Sequence, residues 1–108
     1  MDDNSVIYEV NIRMQKDIVE VYNQWVVNHM KQLLEIDGFI TATYRKVEDS
    51  SEENFERYSA LYILESREKL DNYIKNLAPK MRQDAIDRFG DKFTVERRIM
   101  TNVQFLKK

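Results

Sequence analysis

This sequence predicts an α+β fold: a four-stranded antiparallel sheet with its helices on one face, in the order β-α-β-β-α-β. Three observations predict it. Apolar residues alternate with period two over residues 6–14, 55–64 and 93–100. They change to helical spacing over 18–35 and again after Ser66. The two glycines, Gly38 and Gly90, stand where each helical stretch gives way to the next strand.

The first strand sorts Val6, Tyr8, Val10, Ile12 and Met14 to one side and Ile7, Glu9, Asn11 and Arg13 to the other. Asp17 then reads as an N-cap. At about 100° per residue, Ile18, Val21, Tyr22, Trp25, His29 and Leu33 share a broad stripe. Glu20, Gln24, Lys31 and Glu35 lie opposite, and Val27, Met30 and Leu34 form a second apolar patch. The second strand covers residues 39–47. Residues 48–54 are acidic and small, offer nothing to bury, and read as a solvated hairpin loop.

The third strand alternates Tyr58, Ala60, Tyr62 and Leu64 against Ser59, Leu61 and Ile63, so both of its faces need cover. Ser66 is a suitable N-cap for a second helix with Leu70, Tyr73, Ile74 and Leu77 inward. Pro79 kinks that helix or opens a new segment at a first-turn position, and Met81, Ala85 and Phe89 continue the stripe. The last strand carries Phe93, Val95, Arg97 and Ile99 on one side. Val103, Phe105 and Leu106 give the tail an apolar character that calls for docking, on a partner chain for instance.

Right-handed crossovers turn this order into a ferredoxin-like sandwich. One sheet face is left open, and in the third strand it is apolar, the mark of an association surface. A homodimer is therefore expected. The 108 residues fit one domain, with a core over about 6–100 and a tail at 101–108.

Composition narrows the function. The charged residues, 33% of the chain, nearly cancel to a net −2, and the pI is near 5.5. Nucleic acid is not an expected partner, because neutralising phosphates needs a basic face. No apolar run is long enough to span a membrane. The acidic, polar start at residues 1–5 is unlike a secretory signal, and there is no cysteine for a disulfide, thiolate metal site or thiol nucleophile. A cytoplasmic location is expected. With glycine only at 38 and 90, no phosphate-cradling loop can form, and no cofactor is expected.

His29, the only histidine, sits on the apolar stripe one turn from Trp25. It is either a general base or ligand-binding group with a pKa lowered by desolvation, or a neutral core imidazole bonded to a carbonyl or a tyrosine hydroxyl. One histidine without cysteine does not make a structural zinc site, so no metal is expected. Arg97, in phase with Val95 and Ile99, either pairs with Glu9 or Glu96 or binds a carboxylate substrate in bidentate fashion. Tyr8, Tyr44, Tyr58 and Tyr62 could line a pocket or a dimer seam. Asp84, Asp87, Arg82 and Arg88 read as a solvated helix surface.

The run Trp25-x3-His29, Gly38-Phe39, Leu77-Ala78-Pro79-x2-Arg82, Arg88-Phe89-Gly90-Asp91-Lys92-Phe93 and Arg97 resembles a bacterial family, domain-of-unknown-function family 4286, over about residues 6–100. The Arg-Phe-Gly-Asp-Lys-Phe stretch is its most specific part. The resemblance implies a dimeric α+β barrel, two ferredoxin-like sheets packed face to face. More distantly, the chain is similar to a superfamily of small monooxygenases, muconolactone-isomerase-like enzymes, haem-degrading enzymes and ligand-sensing domains. Several of these keep a pocket between helix and sheet with a histidine on the first helix, where His29 falls. A shared fold does not carry a shared reaction.

Two functional readings stay open. One is a small-molecule binding protein or cofactor-independent enzyme, its pocket lined by Tyr22, Trp25, His29, Tyr62 and Arg97, with His29 as the candidate catalytic group. The alternative is a non-catalytic dimeric interaction or regulatory module.

Overall fold

The computed structural model describes residues 4–49 and 52–108. From β1 (Val6–Gln15) the chain passes through a 3-10 turn (Lys16–Ile18) into α1 (Val19–Leu33), then β2 (Phe39–Lys46) and β3 (Phe55–Leu64). Two consecutive helices follow, α2 (Arg67–Asn76) and α3 (Ala78–Phe89), and β4 (Phe93–Met100) closes the sheet. The strand order is β2-β3-β1-β4, antiparallel throughout, which is the ferredoxin-like arrangement.

β1 lies between β3 and β4, and its register sorts every side chain. Tyr8 stands opposite Tyr62 on one edge and Ile99 on the other, and Val10 stands opposite Ala60 and Arg97. These residues face the helices, where Tyr22, Val26, Met30, Leu33, Leu70, Tyr73 and Phe89 complete the core. Along β2 a register irregularity between Phe39 and Thr41 breaks strict alternation, and Phe39, Ala42 and Tyr44 pack on the core.

α1 is rotated from its predicted stripe. Its buried ladder is Ile18, Tyr22, Val26, Met30 and Leu33; Met30 is only 6% exposed, whereas Val21 is 60% exposed. Met30 thus leaves the predicted outer patch, while Val27 and Leu34 remain exposed. Trp25 and His29 sit half-buried at the margin of the ladder, on the side where Phe89 of α3 meets Trp25 with ring centroids 5.8 Å apart. The expected pattern missed this because two surfaces bury α1: the sheet takes the ladder and α3 takes the flank.

Asp17 is not the N-cap. β1 is tied at its end on both edges, by Gln15 N–H to Lys92 O and Lys16 N–H to Asn54 O, so the chain must turn through the 3-10 segment first. The cap position falls on Ile18, and the Asp17 carboxylate accepts from Lys92 Nζ at 2.8 Å. Ser66 does cap α2, accepting from the Lys69 N–H. Leu77, expected inward, is exposed at the joint between α2 and α3, where Pro79 opens the second helix. The loop before β3 is more than solvated chain: half-buried Glu52 accepts from both Arg13 and Arg57, at 2.6 and 2.8 Å. Residues 50 and 51 of that loop, and 1–3 of the polar start, lie outside the described residues.

Gly38 is needed as glycine. Its φ is +98°, and a Cβ there would stand within 3.0 Å of Lys69 Cβ and Cγ. On the face away from the helices, Ile7 stands opposite both Ile63 and Met100, with Leu61 two residues along, all half-buried. The Glu9–Arg98 pair and the Arg13–Glu52–Arg57 cluster continue that face with charge. The tail beyond β4 is irregular, with Leu106 90% exposed.

Candidate functional site

Between the sheet and the helices the side chains leave a cavity of about 310 Å³. Its origin is side-chain size. On the floor, Ala60 lies between Tyr58 and Tyr62 of β3 and opposite Val10; on the helix side, Ala85 of α3 also lines the space. A methyl group at each position leaves space that the stiff rings around them do not fill. Tyr8 meets Tyr62 at 6.1 Å and Tyr73 at 6.2 Å between ring centroids, and Tyr22 meets Phe93 at 5.4 Å.

His29 enters the wall from α1. Its ring stacks on Trp25 with centroids 4.9 Å apart and planes 11° from parallel. The Trp25 indole Nε1–H donates to Asp84 Oδ2 at 3.2 Å, and Arg88 Nε donates to the other Asp84 oxygen at 3.1 Å. A chain of contacts from α3 thus sets the angle of the imidazole. Neither imidazole nitrogen has a hydrogen-bond partner among the described residues, so no carbonyl or tyrosine hydroxyl of these residues holds it. Burial depresses its pKa below 6.5, with the nearby Asp84 carboxylate opposing as the smaller effect. At neutral pH the ring is uncharged, with one lone pair free to accept a proton.

Tyr22 and Tyr62 also line the cavity, and among the described residues neither hydroxyl has a hydrogen-bond partner. Desolvation pushes the Tyr22 phenol up to about 12, with the Arg97 charge pulling the other way, and burial raises Tyr62 as well. Both are hydrogen-bond donors at physiological pH. Arg97 lines the cavity too, and it pairs with neither predicted acid. Strand alternation is the reason: Glu9 and Glu96 belong to the opposite face, where Arg98 holds Glu9 at 2.7 Å.

The five residues singled out from the sequence, Tyr22, Trp25, His29, Tyr62 and Arg97, therefore surround one space. Tyr44 and Tyr58 do not border it. They stack on each other at 5.3 Å, the Tyr44 hydroxyl donating to Asn23 and the Tyr58 hydroxyl to Glu56. Arg82 and Asp84 are not merely a solvated surface. Arg82 lines the cavity and donates to the Tyr8 hydroxyl at 3.2 Å, and Asp84 orients Trp25. Their signal in the sequence was spacing: each flanks the Met81–Ala85 stripe by one position. Among the described residues no three metal-ligating side chains gather at one place, and no helix is long and apolar enough to cross a membrane.

Solved structures with this architecture place the chain among ferredoxin-like α+β proteins. SnoaB, a cofactor-independent oxygenase from Streptomyces nogalater, is 12% identical, with a TM-score of 0.71 over 96% of this chain and 99% of its own. A Deinococcus radiodurans protein inferred to be an antibiotic biosynthesis monooxygenase is 9% identical, with a TM-score of 0.76 over 95% and 97%. A dimeric ferredoxin-like protein from an uncultured marine organism is 9% identical, with a TM-score of 0.77 over 94% and 98%. At such identities the likeness is one of fold. No curated protein matches the sequence. The chain belongs to the family described as domain of unknown function 4286, matched over residues 5–103.

The depressed His29 pKa has a measurable consequence. Well above pH 6.5 the imidazole is neutral in both folded and unfolded chains. As pH falls below 6.5 the unfolded chain takes the proton first, and this part of the stability is lost until the folded-state pKa is passed. The single histidine gives one imidazole Cε1–H signal in an NMR titration. Its midpoint is expected below 6.5; a midpoint at or above that value contradicts the desolvated environment.

Proposed function

We propose that the protein binds a small organic molecule in the cavity beside His29 and acts as a homodimer, without a resident cofactor. One observation carries the reading: an imidazole without a hydrogen bond to any described residue, angled by Trp25 and Asp84, faces an aromatic space that the described side chains leave unfilled. A half-buried polar group without a protein partner has to be met by water or by a ligand. A ligand of the cavity would do so. In this reading Tyr22, Trp25, Tyr62 and Arg97 form the binding surface, and His29 is the base of any turnover. The fold shared with SnoaB, a cofactor-independent oxygenase, is in keeping with a site built from side chains alone.

The dimer reading draws on the open sheet face. Ile7, Leu61, Ile63 and Met100 form a contiguous apolar strip there, and a neighbour of the same fold is dimeric. The same strip favours the alternative, a non-catalytic interaction module, if that face meets another protein instead. We read the described residues as one domain, and the cysteine-free composition supports a cytoplasmic location.

A thermal-shift screen against a metabolite collection tests the binding claim. A ligand at a hundredfold its Kd stabilises by about 2.7 kcal/mol, several degrees in Tm. His29→Leu is expected to fold with a Tm near that of the parent and to lose the shift. If the variant keeps the full shift, the site is not at His29. Light scattering tests the dimer. A mass of twice 13.0 kDa is expected at micromolar concentration, with Leu61→Glu returning 13.0 kDa; a 13.0 kDa parent contradicts it.

A further inference from the structure

Among the described residues the cavity is lined by two guanidiniums and by no carboxylate. Arg97, a solvent-exposed residue of β4, borders it with no hydrogen bond or ion pair to any described residue. Arg82 reaches it from α3 and spends one donor on the neutral Tyr8 hydroxyl, with no acid beside it. An arginine carries five N–H donors, so most of this capacity is unspent. Five of the other arginines find acids: Arg13 and Arg57 share Glu52, and Arg67, Arg88 and Arg98 take Asp71, Asp84 and Glu9, while Arg45 takes the Thr43 and Ser59 hydroxyls instead. Asp84, the acid nearest the cavity, is already engaged by Trp25 and Arg88.

The two cations act on one volume. Both lower the Tyr73 phenol against its burial, and Arg97 does the same to Tyr22, so their fields overlap between α1, α2 and β4. The unpartnered Tyr22 and Tyr62 hydroxyls add neutral donors beside them. Donors thus outnumber acceptors at a site whose remaining walls are flat rings. Like charges in one half-buried cavity repel unless an anion lies between them. Guanidiniums favour carboxylate, which they can grip through paired N–H groups.

Building on the pocket reading above, we infer that the ligand is an organic anion: a flat, one- or two-ring molecule whose carboxylate is held by Arg97 and Arg82 and whose rings lie against the aromatic walls. The volume of about 310 Å³ suits a molecule of that size.

The test compares 1-naphthoate with its uncharged isostere 1-naphthamide on the intact protein. Binding is followed by NMR at the single Trp25 indole N–H and the single His29 imidazole, both in the cavity wall. Naphthoate is expected to shift both signals and to bind about tenfold or more tightly than the amide, the scale of one charge-assisted hydrogen bond. Arg97→Gln and Arg82→Gln should each erase most of that preference, and Arg97→Lys should restore part of it. Because Arg97 has no partner to lose among the described residues, Arg97→Gln should leave the ligand-free Tm unchanged or higher; a large fall would make it a structural residue and overturn its role. Equal binding of acid and amide, insensitive to both arginines, overturns the anion inference while leaving the pocket intact. If neither compound moves Trp25 or His29 at millimolar concentration, the pocket reading falls, and this inference with it.

Discussion

Everything in this molecule depends on the pairing of β1 with a strand on each side. Because β3 and β4 both lock to it in antiparallel register, the period-two pattern of one strand dictates the facing of three. Slipping either pair by one residue would bring Glu9 or Arg98 under the helices and turn Tyr62 or Ile99 to the open face. The same pairing separates Arg97 from Glu9. Their neighbours Arg98 and Val10 show the two outcomes of the alternation, one ion-paired on the open face, the other packed beneath the helices.

On that frame the layer of aromatic rings makes a hollow that aliphatic side chains would have closed. Tyr8, Tyr22, Tyr62, Tyr73 and Phe93 are large, planar and limited to two soft torsions each, so they interlock at their edges and leave space over Ala60 and under Ala85. The polar ends of these rings and the imidazole of His29 border that space. Among the described residues the Tyr22 and Tyr62 hydroxyls and the imidazole stand here without hydrogen-bond partners, while the Tyr8 hydroxyl meets Arg82 and the Tyr73 hydroxyl meets Met81, and two guanidiniums without an acid partner converge at the same place. Conflict between local packing rules and the rest of the fold concentrates at functional sites.

Much of this was legible from the residues. The alternation of Val6, Tyr8, Val10, Ile12 and Met14, the Ser66 cap and the β3 boundaries appear in the structure as read, and of the two readings of Pro79, a kink or a new segment, the structure has the second. These are signals that act within a few residues along the chain. What was not legible came from contacts between distant segments. The facing of Met30 and Val21 depended on α3 flanking α1, the role of Asp17 depended on Lys92, and Glu52 left solvent for Arg13 and Arg57. At the site, His29 stood out as a lone imidazole among apolar residues, and Arg97 stood out by strand phase. Arg82 and Asp84 carried ordinary helix-surface chemistry and gained meaning only when α3 settled beside Trp25.

The central claim is that this hollow is a real, accessible space rather than a tightly closed core, and filling it tests the claim most directly. Ala85→Leu puts a larger aliphatic side chain into the roof. If the space is as described, chemical denaturation should find the variant more stable by about 1 kcal/mol, from apolar area removed from water. A loss of about 1–3 kcal/mol, the usual cost of overpacking a filled interior, would contradict the account.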